Sequence, residues 1–237
     1  NLTAAADADG DPNVNVTVGA GTLTVAKLNL IKAATNGTIT ASISGTANAL
    51  TSLNTVAADA ITMTVDAGTV TAADLATIDG KTSVTVDASA VTKITGSDTE
   101  VLAALTADTA TTLNIDTDFE TDVSGDVSVS NANTIVLATT GQVDFAGTIT
   151  DSMASMLNDA EDGLSTAFAA VTKGDASSDG DGGVDVTVNA GTLTVAKLNL
   201  IKAATTGTIT ASISGTANAL TGLNTAAADA ITMTVDA

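Results

Sequence analysis

The chain contains no cysteine, histidine, arginine, tryptophan or tyrosine. Without cysteine there are no disulfides and no thiolate metal sites. Without histidine the commonest general base and the commonest metal ligand are both missing. Without arginine there is no bidentate clamp for phosphate or carboxylate. Aromatic residues make up 1%, all of them Phe: Phe119, Phe145 and Phe168. A wide interior is normally filled with aromatic bulk. Here Ala, Val, Leu, Ile and Thr must fill it, which favours a narrow interior. No apolar run approaches the roughly 18–20 residues that cross a bilayer, so no membrane insertion is expected.

What is present is acidic and apolar. Seven Lys face 27 acidic residues, for a formal net charge of −20 over 237 residues. All the acids are Asp except Glu100, Glu120 and Glu161. Such a surface repels nucleic acid phosphates and anionic lipid, and favours divalent cations as partners. Hydrophobic residues reach 44%, too many for a solvated, disordered tail.

The dominant feature is repetition. Residues 14–67 align without a gap with 184–237 at an offset of 170. They differ only at Asn15/Asp185, Gly19/Asn189, Asn36/Thr206, Ser52/Gly222 and Val56/Ala226. Residues 1–170 therefore read as one repeat unit, with sub-units near 14–67, 68–117 and 118–170. Residues 171–237 read as the start of a second. The chain does not open on Met, and "ITMTVDA" at 231–237 matches 61–67, where the first copy continues into "GTVTAADL". A window cut from a longer protein is the expectation. Inside the unit, "GTLTVAKLNLIKAATNGTITAS" (21–42) echoes "GTVTAADLATIDGKTSVTVDAS" (68–89), keeping Leu28/Leu75, Ile31/Ile78 and Thr35/Thr82. A degraded third echo starts at "GTITDSMASMLNDA" (147–160).

Two periods alternate within each sub-unit. Thr38–Ala41, Ile61–Val65, Val84–Val86 and Leu113–Ile115 alternate β-branched and apolar residues and read as short strands. Thr71-Ala-Ala-Asp74 and Ser97-Asp-Thr-Glu100 read as capping boxes that open helices, with Gly80 ending the first. In 25–34, Val25, Leu28 and Ile31 face inward, which leaves Lys27 and Lys32 facing water. The expected fold is a β-rich repeat solenoid of parallel strands with short helices at the corners. The alternative is a string of tandem β-sandwich domains.

The stretch "GTVTAADLATIDGKTSVTVDASAVTKITGSDTEVLAAL" resembles the repeats of giant secreted and cell-surface proteins of marine bacteria, cyanobacteria especially, in which strand–"DLxxID"–strand–"ITG" units recur. The likeness covers most of 14–117 and 184–237 and is poor over 118–183. It implies an extracellular or cell-surface location and a structural or adhesive role, and it supplies no catalytic residue.

Two acidic clusters could hold cations. In "DADGDPNVN", Asp7, Asp9, Asp11, Asn13 and Asn15 alternate about Gly10, as oxygen ligands of Ca²⁺ do. The second copy offers Asp179, Asp181 and Asp185, with Ser177 opposite Asp7. Neither loop has the bidentate Glu of an EF-hand. An Asp/Gly-rich turn capping its own backbone is the competing reading. Along "NIDTDFETDVSGDV", Asp116, Asp118, Glu120 and Asp122 would share one face of an extended segment and crowd together unless solvated or bridged. A paired-carboxylate glycosidase would need an aromatic-lined cleft, for which the residues are lacking. Recurrent Thr-x-Thr pairs such as Thr38/Thr40 and Thr62/Thr64 would stack as hydroxyl ladders on adjacent strands; ordered water or ice on such a face is a minor reading beside simple strand propensity.

Two functions remain. One is a structural segment of an extracellular bacterial surface protein: a stalk, a surface-layer or sheath element, or a self-associating filament subunit, stiffened by calcium. The other is an adhesin whose distinct segment 118–183 carries the binding part. Exposed Phe119, Phe145 and Phe168 would favour the adhesin, and buried ones the spacer. An enzyme is not expected.

Overall fold

The structure is a computed structural model and describes residues 13–19, 21, 23–174, 183–189 and 193–236. The described residues fall into two compact units, 1–119 and 120–237. This partition is distinct from the 170-residue sequence repeat.

The first unit runs β1 (Val16–Thr17), α1 (Val25–Ala33), β2 (Ile39–Gly45), α2 (Ala47–Leu50), β3 (Ala60–Val65), β4 (Gly68–Thr71), α3 (Ala72–Asp79), β5 (Val86–Asp87), β6 (Val91–Ser97), α4 (Asp98–Thr109) and β7 (Leu113–Asn114). Its main sheet has the order β1-β2-β3-β5-β7, and β4 pairs with β6. The second unit runs β8 (Glu120–Ser124), α5 (Val129–Ala138), β9 (Val143–Phe145), β10 (Thr148–Asp151), α6 (Met153–Met156), α7 (Thr166–Gly174), β11 (Asp185–Val188), α8 (Val195–Ala204), β12 (Ile209–Gly215), α9 (Ala217–Leu220) and β13 (Ala230–Val235). Here β8 pairs with β9, and a four-stranded sheet has the order β10-β11-β12-β13.

Every described strand pair is parallel. The parallel pairing overturns the β-sandwich alternative, and the helical content overturns the expected β-rich solenoid. Helical residues outnumber strand residues, and the fold is α/β, with parallel-strand sheets flanked by helices, not a β-rich solenoid. A β-sandwich needs antiparallel sheets, and none forms among the described strands. The physical reason lies in the connections. Parallel neighbours need a crossover, usually helical, and the capped segments supply it. The β-branched Thr-x-Thr pattern drew attention to the strands and understated the helices between them.

Local signals act where they were expected. Thr71 caps α3 by accepting from the Asp74 N–H, and Gly80 follows its last turn. Ser97 and Glu100 form a reciprocal capping box on α4. On β2, Ile39, Ala41 and Ile43 point inward while Thr40, Ser42 and Ser44 point to water. On β3, Ile61, Met63 and Val65 are buried and Thr62 and Thr64 exposed. Leu28, Leu50, Leu75 and Ile78 from the helices complete the first unit's core and are fully buried. Each such side chain contributes about 1.5–3 kcal/mol on removal from water. In the second unit Phe168, Val171, Met156 and Ile135 are fully buried.

The turns leading into β2 and β12 pass very close to the chain just ahead of β1 and β11. A Cβ built on Gly37 would collide with the Val14 carbonyl, and one on Gly207 with the Val184 carbonyl. Nothing lies within 4 Å of a Cβ on Gly19. Gly37→Ala and Gly207→Ala should therefore each destabilise the protein by about 1–3 kcal/mol, whereas Gly19→Ala should stay within about 0.5 kcal/mol of wild type. Urea unfolding followed by circular dichroism measures both. Equal effects at Gly37 and Gly19 would mean that the close approach is unimportant.

Candidate functional site

The most developed chemistry in the molecule is a set of polar latches joining each strand to its neighbour. Thr35 follows α1, is buried, and donates its hydroxyl to the Val14 carbonyl, 21 residues earlier. The same oxygen accepts the Gly37 N–H at 2.9 Å. In the second copy Thr205 donates to Val184 at 2.5 Å and accepts from Gly207 at 3.0 Å. Thr82, the echo of Thr35, donates to the Ile61 carbonyl at 2.7 Å and accepts the Ile61 and Val84 N–H groups. Buried hydroxyls must be bonded, and a threonine here satisfies backbone groups that two successive strands would otherwise leave open.

Asp59 is the centre of the second latch. Its side chain is fully buried and takes both carboxylate oxygens into use. Oδ1 accepts the Ile39 N–H at 2.8 Å and Lys32 Nζ at 3.0 Å. Oδ2 accepts the Val56 N–H at 2.9 Å and lies 2.9 Å from Lys32 Nζ. The expectation that Lys32 faces water is thus corrected: only Lys27 is exposed, while Lys32 is largely buried against Asp59. Its long stem lets the ammonium fold under the helix end to reach the strand. The second copy repeats the arrangement. Asp229 accepts from Ile209 N–H at 2.8 Å, from Ala226 N–H at 2.6 Å and from Lys202 at 3.1 Å. For both carboxylates burial opposes ionisation. The amide hydrogen bonds and the neighbouring Lys outweigh it and hold the carboxyl below its ordinary value.

A third latch is carried by an Asx side chain. Asn15 Oδ1 accepts from the N–H and hydroxyl of Thr38 at 2.9 and 3.0 Å. Asp185 does the same for Thr208 at 2.6 and 2.8 Å, and Asp126 accepts the Thr148 N–H at 3.1 Å. Asn29 and Asn199 each bridge to the following loop, donating to the carbonyls of Ser52 and Gly222 and accepting from Asn54 and Asn224.

The five differences between the copies leave every latch intact. Asn15/Asp185 exchanges one acceptor for another. At Ser52/Gly222 the bonded atom is a backbone carbonyl. At Val56/Ala226 it is a backbone N–H, and Val56 points outward. Gly19/Asn189 and Asn36/Thr206 are exposed.

Of the proposed cation ligands, Asp7, Asp9, Asp11, Asp179 and Asp181 lie outside the described residues. Asn13 and Asn15 precede β1, and Asp185 opens β11; Asn15 and Asp185 serve as the latches just described. No group of three or more acidic side chains suited to a metal occurs among the described residues. Asp116, Asp118 and Glu120 are exposed and Asp122 half-buried, so this cluster is largely solvated. The Thr-x-Thr ladder is altered by register: Thr62 stands beside Ser42 and Thr64 beside Ser44, while Thr40 meets Ala60. Ser42, Ser44, Thr62 and Thr64 line an open groove on the outer face. Among the described residues no helix is long and apolar enough to cross a membrane.

The sequence pattern signalled the buried threonines only as an unexplained recurrence of Thr35 and Thr82. Their common context, a Thr four residues before the first residue of a strand, was the available cue. Lys32 and Asp59 are 27 residues apart, and only the parallel register brings them together.

Asp59→Asn leaves the Lys32 ammonium buried without its counter-charge and should cost about 3–5 kcal/mol. The exposed Asp66→Asn should stay within about 0.5 kcal/mol. Because the folded pKa of Asp59 and of Asp229 is depressed, their stabilisation is complete above the unfolded value near 4 and is lost as pH falls through the folded value. Melting temperature should therefore drop between about pH 5 and pH 2, and less steeply in an Asp59→Asn/Asp229→Asn variant. Parallel pH curves for the two proteins would refute this role.

Comparison with known proteins finds no matching family model, no matching curated sequence and no matching solved structure.

Proposed function

We propose that this chain is a structural repeat segment of an extracellular bacterial surface protein, serving as a stalk, a surface-layer or sheath element, or a filament subunit. The observation that supports this most directly is the reproduction of all three latches in both copies, through substitutions that keep their hydrogen bonds. Selection on a reaction centre acts on one site. Selection on a load-bearing element acts on every copy, and on the links between neighbouring strands. The acidic surface suits a protein held soluble in salty water, with divalent cations as counter-ions. Self-association into a filament or lattice belongs to the same reading.

The adhesin reading draws less support. Phe119, Phe145 and Phe168 are 1%, 6% and 0% exposed, so none offers an aromatic patch to a ligand. They fill local cores where aliphatic side chains are too small.

Calcium is proposed at Asp7, Asp9 and Asp11 and at Asp179 and Asp181, supported by oxygen ligands at alternate positions. A ligand that binds only the folded chain raises its stability. Melting in millimolar calcium should exceed melting in chelator by a few degrees, and identical curves would remove calcium from the proposal. The structural role is tested by negative-stain imaging of the intact parent protein. Filaments, sheets or long stalks are expected. A compact particle with a single distal head would favour the adhesin.

A further inference from the structure

One of the five differences between the copies changes chemistry rather than hydrogen bonding. Asn36 stands before Gly37, the one Asn-Gly pair in the sequence, while the second copy has Thr206 before Gly207. An asparagine before glycine is open to attack by its own backbone, because glycine puts no side chain beside the next amide nitrogen and lets the chain bend toward it. Asn36 and Thr206 are both exposed. Beyond β12 the sheet continues into β11 and β10, so the opening at Thr206 belongs to the turn itself.

The structure holds the nucleophile of that reaction in place. The attacking atom would be the Gly37 nitrogen, and its proton is bonded to Thr35 Oγ1 at 2.9 Å. Thr35 is buried and donates in turn to the Val14 carbonyl. Gly37 lies so close to the same carbonyl that even a Cβ would not fit. On the other side, Thr38 gives its N–H and its hydroxyl to Asn15 Oδ1. The backbone is thus fixed on both sides of Asn36, whose own amide makes no hydrogen bond among the described residues.

We propose that Asn36 is a site of spontaneous covalent modification, gated by the Thr35 latch. When the latch opens, the Gly37 nitrogen loses its proton to water and bonds to Asn36 Cγ. The Cγ–Nδ2 bond breaks, and Nδ2 takes up a proton and leaves as ammonia. A five-membered succinimide remains. Water then adds to one of its two carbonyl carbons and opens the ring at that C–N bond. One opening yields an aspartyl residue. The other yields an isoaspartyl residue, whose main chain runs through the former side chain and is one atom longer. Water is the only co-reactant. The longer chain has no room at Gly37, so the isoaspartyl product cannot close the latch again, and the seam between β1 and β2 stays unfastened. Thr206 has no amide to lose, so the second copy builds the same seam from a residue that cannot react. The inference goes beyond the structural reading and does not rest on it.

The test is peptide mapping by mass spectrometry of the 237-residue chain aged at mildly alkaline pH, with a synthetic peptide of residues 30–42 giving the ungated rate. Asn36 should convert at least about tenfold more slowly in the folded chain than in the peptide, as a locally closed segment does. Thr35→Val keeps the shape and removes the hydroxyl, and should speed conversion by about fivefold. Thr35→Ser keeps the hydroxyl and should leave conversion slow, which separates the latch from a general loss of stability. Thr206→Asn should create a second gated site, and this arm stands even where circular dichroism finds Thr35→Val unfolded. The isoaspartyl fraction should show faster amide exchange at Val16, whose N–H bonds the Thr38 carbonyl across the seam. Equal rates in folded chain and peptide, or in a folded Thr35→Val variant and wild type, overturn the gate. No conversion in Thr35→Val while the peptide converts fully overturns the site, and unchanged exchange at Val16 in the isoaspartyl product overturns the unfastening.

Discussion

A buried carboxylate is the point on which the strand packing turns. Asp59 sits at the entry to β3 with no solvent on its side chain, and it survives there because two backbone amides and one ammonium converge on it. Each of those donors comes from a different place in the chain: the end of α1, the start of β2 and the loop before β3. Burying a charge so completely is costly unless all its acceptor sites are used. The cost fixes geometry, since only one arrangement of helix, strand and loop satisfies the oxygens together. The same logic operates at Asp229 with Lys202, Ile209 and Ala226.

Around that centre the remaining latches share a design. A short polar side chain, threonine or an Asx residue, reaches across one strand step and bonds backbone, with Asn15 and Asp185 also accepting a threonine hydroxyl. Backbone is the one partner that substitution does not remove. This explains how the two copies drift at Ser52/Gly222 and Val56/Ala226 without loosening. It also explains why glycine is needed at Gly37 and Gly207: the latch draws the turn against a neighbouring carbonyl, and no side chain fits between. Coupling that reaches only the adjacent strand suits a protein assembled from copies, because each copy brings its own fastenings.

Helix caps at Thr71 and Ser97, the inward faces of β2 and β3, and the placement of Leu28, Leu75 and Ile78 were legible in the sequence, because caps and alternation are local patterns. The architecture was not. Periodicity identifies strands but does not say how much chain the helices take, and the parallel α/β arrangement replaced the expected solenoid. Lys32 was misplaced for a related reason. Helical spacing puts it four residues after Leu28, on the same face, but a charged side chain was expected in water, and nothing local reveals the acid 27 residues on that pairs with it. Thr35 and Thr82 stood out as a recurrence, while their meaning needed the strand before them. Asn15 and Asp185 were noticed as possible cation ligands; at both, and at Asp126, the structure shows acceptance from the opening of the next strand.

The most direct test of the claim that these latches hold the strands is residue-resolved amide exchange at Ile39 and Ile209, the two amides that donate to the buried carboxylates. Both should be strongly protected, with closely similar protection factors, at neutral pH, and both should lose protection together, relative to the intrinsic rate at each pH, as acid protonates Asp59 and Asp229. Little protection at either amide at neutral pH, or protection factors that persist unchanged through pH 2, would contradict it.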